Sequence, residues 1–134
     1  QALKRAWELL DLVEIKEARR IASSYPHQLS GGLRQRAMIA QAIAATPSLV
    51  IADEPTSNLD VTIQAKILAL FRKLQKQMHL SILLITHDLG VVRFLADRVF
   101  ILSEGKIVES GGARSVLEAP KHDLTKKLIK ATEL

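Results

Sequence analysis

The sequence predicts an α/β layered fold on a parallel sheet, and three observations carry that expectation. Segments with helical apolar spacing alternate with two short, mostly apolar runs, at residues 49–52 and 81–85. Such runs read as strands buried in a parallel sheet. Each run delivers polar residues at its carboxyl end, where open α/β folds place their chemistry. Residues 98–109 then carry a hairpin pattern around Ser103-Glu104-Gly105.

In chain order, Leu3, Ala6, Leu9, Leu10 and Val13 recur at helical spacing, so residues 2–13 form an amphipathic helix. A second helical stretch over 15–22 stops at Ser23-Ser24-Tyr25-Pro26, because the residue before proline is pushed out of the helical region. Ser30 is a good N-cap for a long helix over 33–45, which Thr46-Pro47 ends. After the first strand comes Asp53-Glu54-Pro55. Ile63, Ile67, Leu70, Phe71, Leu74 and Met78 then mark a helix over 61–78. The second strand leads to Thr86-His87-Asp88 and a short helix over 89–96. Hairpin strands follow at 98–102 and 106–109, Gly111-Gly112 reads as a break, and short helices near 113–118 and 122–132 close the chain. Two strands and a hairpin make a thin sheet. The strands are expected to lack a neighbour, leaving open backbone edges and a bare apolar face.

Composition narrows the function classes. The 134 residues are 48% hydrophobic but only 4% aromatic, enough for one mostly aliphatic core. No apolar run approaches the ~20 residues that cross a bilayer, and the charged start Gln1-Ala2-Leu3-Lys4-Arg5 is no signal peptide. The missing initiator Met points to a chain cut from something longer. Without cysteine there are no disulfides or thiolate metal sites. Net charge is +5, yet the basic pairs Arg19-Arg20 and Lys126-Lys127 have no interleaved aromatics, so no nucleic-acid partner is expected.

Asp53-Glu54 at a strand tip suits phosphoryl transfer. An acid there holds Mg²⁺, often through water, and a neighbouring acid orients or deprotonates the attacking water. Acids at strand ends also serve simply as helix caps. His87, after the second strand, is placed to sense a γ-phosphate. Ser30-Gly31-Gly32 opening a helix offers bare amides, no β-carbons, and the positive end of the helix dipole to an anion. Taken alone it reads rather as an ordinary capped helix with a glycine turn.

Leu29-Ser30-Gly31-Gly32-x-x-Gln35-Arg36 resembles the ABC signature motif. Residues 49–56 resemble the Walker B strand, Ser57-Asn58-Leu59-Asp60 the D-loop, and Ile85-Thr86-His87-Asp88 the H-loop. Order and spacing are similar to those of the ABC ATPase domain across essentially the whole chain. Ser24-Tyr25-Pro26-His27-Gln28, residues 60–65, residues 87–92 and the tail Ala119-Pro120-Lys121-His122-Asp123-Leu124-Thr125 resemble the dipeptide/oligopeptide/nickel importer subfamily. Asp123-Leu124 stands where that tail usually has Pro-Tyr, and Ser57-Asn58 where Thr-Ala is more frequent. No Gly-x-x-x-x-Gly-Lys-Ser/Thr occurs, so the phosphate loop is absent.

The resemblance implies an incomplete P-loop NTPase (RecA-like) domain. Residues 1–46 would be the rest of a helical subdomain, 47–110 the rest of the core, and 111–134 a C-terminal extension. It implies ATP as substrate with Mg²⁺ near Asp53, Glu54 as general base and His87 on the γ-phosphate. Asp60 would couple two sites, and Ser30, Gly31, Gly32 and Gln35 would lie on the nucleotide held by a head-to-tail partner subunit. It also implies membrane-spanning permease subunits, an extracytoplasmic solute-binding protein, and a peripheral place on the cytoplasmic face of the plasma membrane. Two alternatives stay open: an ABC ATPase working on DNA or ribosomes, and a truncated, non-catalytic piece.

Overall fold

The computed structural model describes residues 1–132. Helices α1 (Ala2–Leu12) and α2 (Ala18–Ala22) are followed by a 3₁₀ turn at Pro26–Gln28, α3 (Gly31–Ile43), β1 (Leu49–Asp53), α4 (Val61–Met78) and β2 (Ser81–Ile85). Then come α5 (Leu89–Leu95), β3 (Arg98–Ser103), β4 (Lys106–Gly112), α6 (Ala113–Glu118) and α7 (Asp123–Ala131).

Two compact units divide the chain, one spanning Gln1–Ile85 and the other beginning at Thr86. In the first, α1, α2 and α3 pack together and α3 packs on α4. The long aliphatic residues alternate on α4 with polar ones, so Ile67, Leu70 and Leu74 turn inward and join Val13, Ile15 and Ile43, all nearly inaccessible. Strands β1 and β2 pair in parallel, with Leu49 opposite Ser81, Ile51 opposite Leu83 and Asp53 opposite Ile85. Val50 and Ala52 are buried on one face. The other face leaves Leu49, Ile51, Leu83 and Ile85 about half exposed or more. The bare face expected from the sequence is present, and among the described residues neither outer edge of this two-stranded sheet is paired.

In the second unit β3 and β4 form an antiparallel hairpin. Val99, Ile101, Ala113 and Val116 pack together beneath it. Leu89, Leu117 and Ile129 form a neighbouring cluster. No helix among the described residues is long and apolar enough to cross a membrane.

Three local expectations need correction. The second helix starts at Ala18, not 15, because Glu14 and Glu17 take left-handed φ values of 62° and 60°, which break the helical path. Helix α3 begins at Gly31 and ends at Ile43, two residues early at each end; Thr46, at φ 48°, lies beyond it. Gly111-Gly112 is no break: Gly111 pairs with Val99 and Gly112 with Arg98. A Cβ on Gly111 would stand 3.0 Å from Val116 Cγ2, so glycine there lets α6 lie close on the hairpin.

Candidate functional site

Ser30 is extended (φ −63°, ψ 160°) and caps α3: its Oγ accepts the Leu33 N–H at 3.3 Å, and its carbonyl accepts from Arg34 N at 2.9 Å. A hydroxyl that accepts this way keeps its own proton to donate outward. Ser30 is exposed, so the turn opens at the surface. The first-turn amides of α3 have no acceptor within the helix, and the helix dipole makes their end positive.

The two glycines have a second reason to be glycine, one that the sequence reading missed. A Cβ on Gly32 would stand 2.9 Å from Ile63 Cγ2, and one on Gly31 3.3 Å from Leu59 Cδ2. They admit the segment that starts α4 as well as any anion. Asp60 caps that helix, its Oδ1 accepting from Ile63 N at 3.0 Å and its carbonyl from Gln64 N at 2.8 Å. The start of α3 therefore packs directly against the start of α4.

Asp53 ends β1 with an exposed side chain. Glu54 follows in a left-handed conformation (φ 44°), while its N–H still donates to Ile85 O at 2.9 Å. A non-glycine residue held at positive φ costs energy, and such positions concentrate at functional sites. The Ser57 hydroxyl and amide both reach Glu54 O, at 3.1 and 3.3 Å, closing a turn over buried Pro55 and Thr56. Gln35 and Asp53 line one cleft of about 140 Å³ with Met38, Ala42, Ile51 and Pro55.

His87 belongs to the second unit and is exposed. Its neighbours fix its backbone. Thr86 Oγ1 accepts from Asp88 N at 3.1 Å, and Asp88 Oδ1 caps α5 through Gly90 N at 2.7 Å and Val91 N at 3.3 Å. Asp88 thus has a local structural duty that the sequence reading left unassigned. Within the first unit, Gln35 and Asp53 meet at one cleft, and the Ser30 turn meets the Asp60 helix start.

No group of three or more His, Asp or Glu side chains able to hold a metal occurs among the described residues. A single exposed carboxylate at a strand tip suits Mg²⁺, which keeps most of its waters and takes few protein ligands.

Comparison with known proteins agrees with these motifs. The ABC transporter family model matches residues 1–57. The chain is 51% identical over 131 residues to the glutathione import ATP-binding protein GsiA of Escherichia coli O1:K1, covering 98% of this chain. The Salmonella choleraesuis GsiA is 50% identical over the same length. The chain spans only 21% of the length of these relatives. Among solved structures, a dimeric bacterial ABC transporter cassette superposes with a TM-score of 0.69 at 39% identity, over 83% of this chain and 47% of that one. An inward-facing, putative metal-chelate type ABC transporter gives 0.79 at 26% identity, over 96% and 48%. With its motifs seated at these helix starts and strand ends, the chain is similar to a segment of the ATPase domain of ABC transporters.

Proposed function

We propose that the complete protein is an ATP-hydrolysing subunit that energises an importer of peptides or related small solutes. The observation that carries this reading is the Ser30-Gly31-Gly32 turn, with Ser30 exposed and the Gly31 and Gly32 amides lacking an acceptor within the helix, packed against the Asp60 helix start. The 51% identity to a glutathione import ATP-binding protein supports the importer over an ATPase working on DNA or ribosomes.

In this reading a second ATPase domain docks head to tail. Ser30 donates its hydroxyl proton, and Gly31 and Gly32 their amides, to the γ-phosphate of the ATP held by the partner, with Gln35 alongside. On the chain's own side Asp53 would hold Mg²⁺. The ion, when bound, offsets the charge of the β- and γ-phosphates. Glu54 takes the proton of the attacking water, and His87 orients that water against the γ-phosphate. Asp60 couples the two sites. Cleavage removes the anion that Ser30 grips, the domains part, and attached permease subunits change access. Residues 1–46 then belong to the helical subdomain, 47–110 to the core and 111–134 to an extension. A solute-binding protein and a peripheral site at the cytoplasmic membrane face complete the assembly.

Two measurements test this. In the complete protein Glu54→Gln should abolish hydrolysis while ATP still drives dimerisation; normal turnover would remove Glu54 as the base. The segment alone, lacking a phosphate loop, should show no steady hydrolysis. Turnover by the purified segment that is lost on Glu54→Gln would refute that division of labour.

A further inference from the structure

Glu14 stands just past the end of α1, in no motif, and joins three helices. Its Oε1 accepts from Lys73 Nζ on α4 at 2.9 Å, and its Oε2 from Arg36 Nη1 on α3 at 3.1 Å. The same Arg36 nitrogen donates to Val13 O at 2.6 Å, placing a cation on the carboxyl end of α1, where the helix dipole favours one. By contrast, the pairs Arg5–Glu8, Arg20–Glu17, Arg114–Glu118 and Lys126–Asp123 link positions three or four apart on the chain. The Glu14 bridge spans 22 and 59 positions. The Arg36 side chain is only 12% exposed while Glu14 is 47% and Lys73 39% exposed, so solvent screens the bridge in part. The Lys73 ammonium, opposed by slight burial and helped by Arg36, holds the Glu14 carboxyl below its ordinary range. Glu14 reaches both cations from a left-handed backbone (φ 62°), a conformation glycine adopts more readily.

Helices α3 and α4 begin at the two places the proposed function uses, the Ser30 turn and Asp60. They touch at their starts through Gly32 and Ile63. The two helices also pack against each other, and the bridge adds a polar tie to that apolar packing. Arg36 lies four residues beyond Gly32, roughly 6 Å along the α3 axis.

We propose that Glu14 is a positioning residue, its carboxylate bridging Arg36 and Lys73 so that the Ser30 turn and Asp60 travel as one rigid pair of helix ends. The functional part of this proposal rests on the ATPase reading above. A partner's nucleotide that grips Ser30 then also sets Asp60, and loosening the bridge weakens the grip.

The test uses the complete protein with its partner domain. Glu14→Gly removes the carboxylate yet suits the left-handed backbone, and Lys73→Met removes only the link to α4. Each should raise the KM for ATP about threefold to tenfold with kcat changed less than about twofold. The double variant should be no worse than the poorer single, because both cut one bridge. Singles with wild-type KM, or effects that multiply in the double variant, would overturn the proposal. A second readout does not depend on hydrolysis. Amide exchange at Leu33 and Ile63, each bonded to its helix cap, should quicken together in Glu14→Gly without nucleotide. Quickening confined to α1 would overturn the proposal even where the ATPase assays behave as expected. Normal hydrolysis by Glu54→Gln would instead count against the ATPase reading and leave the exchange result to decide the bridge.

Discussion

Replacing Asp60 separates two duties carried by one side chain. Its Oδ1 accepts the Ile63 N–H at 3.0 Å at the start of an 18-residue helix. Losing an N-cap acceptor costs about 0.5–2 kcal/mol. The negative charge at the helix start adds about 0.3–1 kcal/mol at an exposed site. Asp60→Ala loses both, so the expected cost is about 1–3 kcal/mol. Asp60→Asn keeps an acceptor in the same place and loses only the charge, so its cost stays below about 1 kcal/mol. Chemical denaturation of the complete protein, followed by circular dichroism, ranks the two, and amide exchange at Ile63 localises the effect. If Asp60 also couples two nucleotide sites through its charge, Asp60→Asn should impair the cooperativity of ATP hydrolysis while remaining well folded. Equal destabilisation by Asn and Ala, or none by Ala, would refute the capping argument.

Two further outcomes are expected. Gly32→Ala would press a methyl against Ile63 Cγ2 at 2.9 Å, for a loss of about 1–3 kcal/mol in thermal denaturation. Adding Ile63→Ala should return part of that loss, and no return would mean that the crowding lies elsewhere. In the tail, the nearby Thr125 hydroxyl, which forms no hydrogen bond, and the Lys121 and His122 amides, which donate to Glu109 at 2.8 and 3.0 Å, hold the Glu109 carboxyl below its ordinary 4.5. A depressed carboxylate contributes stability that is fully present above its unfolded value and lost as pH falls through the folded one. Exchange at these two amides, corrected for intrinsic rates, should therefore accelerate as pH drops below 4.5, and Glu109→Gln should flatten the profile. Identical profiles for the two proteins would remove Glu109 as the clasp.

What the sequence disclosed depended on how local the cause was. Helix α4 runs over the residues its apolar spacing marks, because Asp60 caps it and His79 ends it in a left-handed turn. The parallel strands were legible as mostly apolar runs, and Ser30 as a cap from its own side chain. Gly111 misled because glycine commonly ends a strand, whereas here close packing of Val116 selects it. The second requirement on Gly32 was hidden for the same reason, since Ile63 is a neighbour only in the fold. Glu14 carried no signal at all, because its partners lie 22 and 59 residues away and no local pattern announces a bridge among three segments.

The water-facing side of β1 and β2 has a practical consequence. Leu49, Ile51, Leu83 and Ile85 form a greasy patch beside two open rows of amides and carbonyls. A third strand from any source gains both hydrogen bonds and burial by docking there. Copies of this segment produced at high level will find that strand in one another. Soluble yield should therefore fall as expression rises, and a chaperone that binds extended aliphatic chain should restore it.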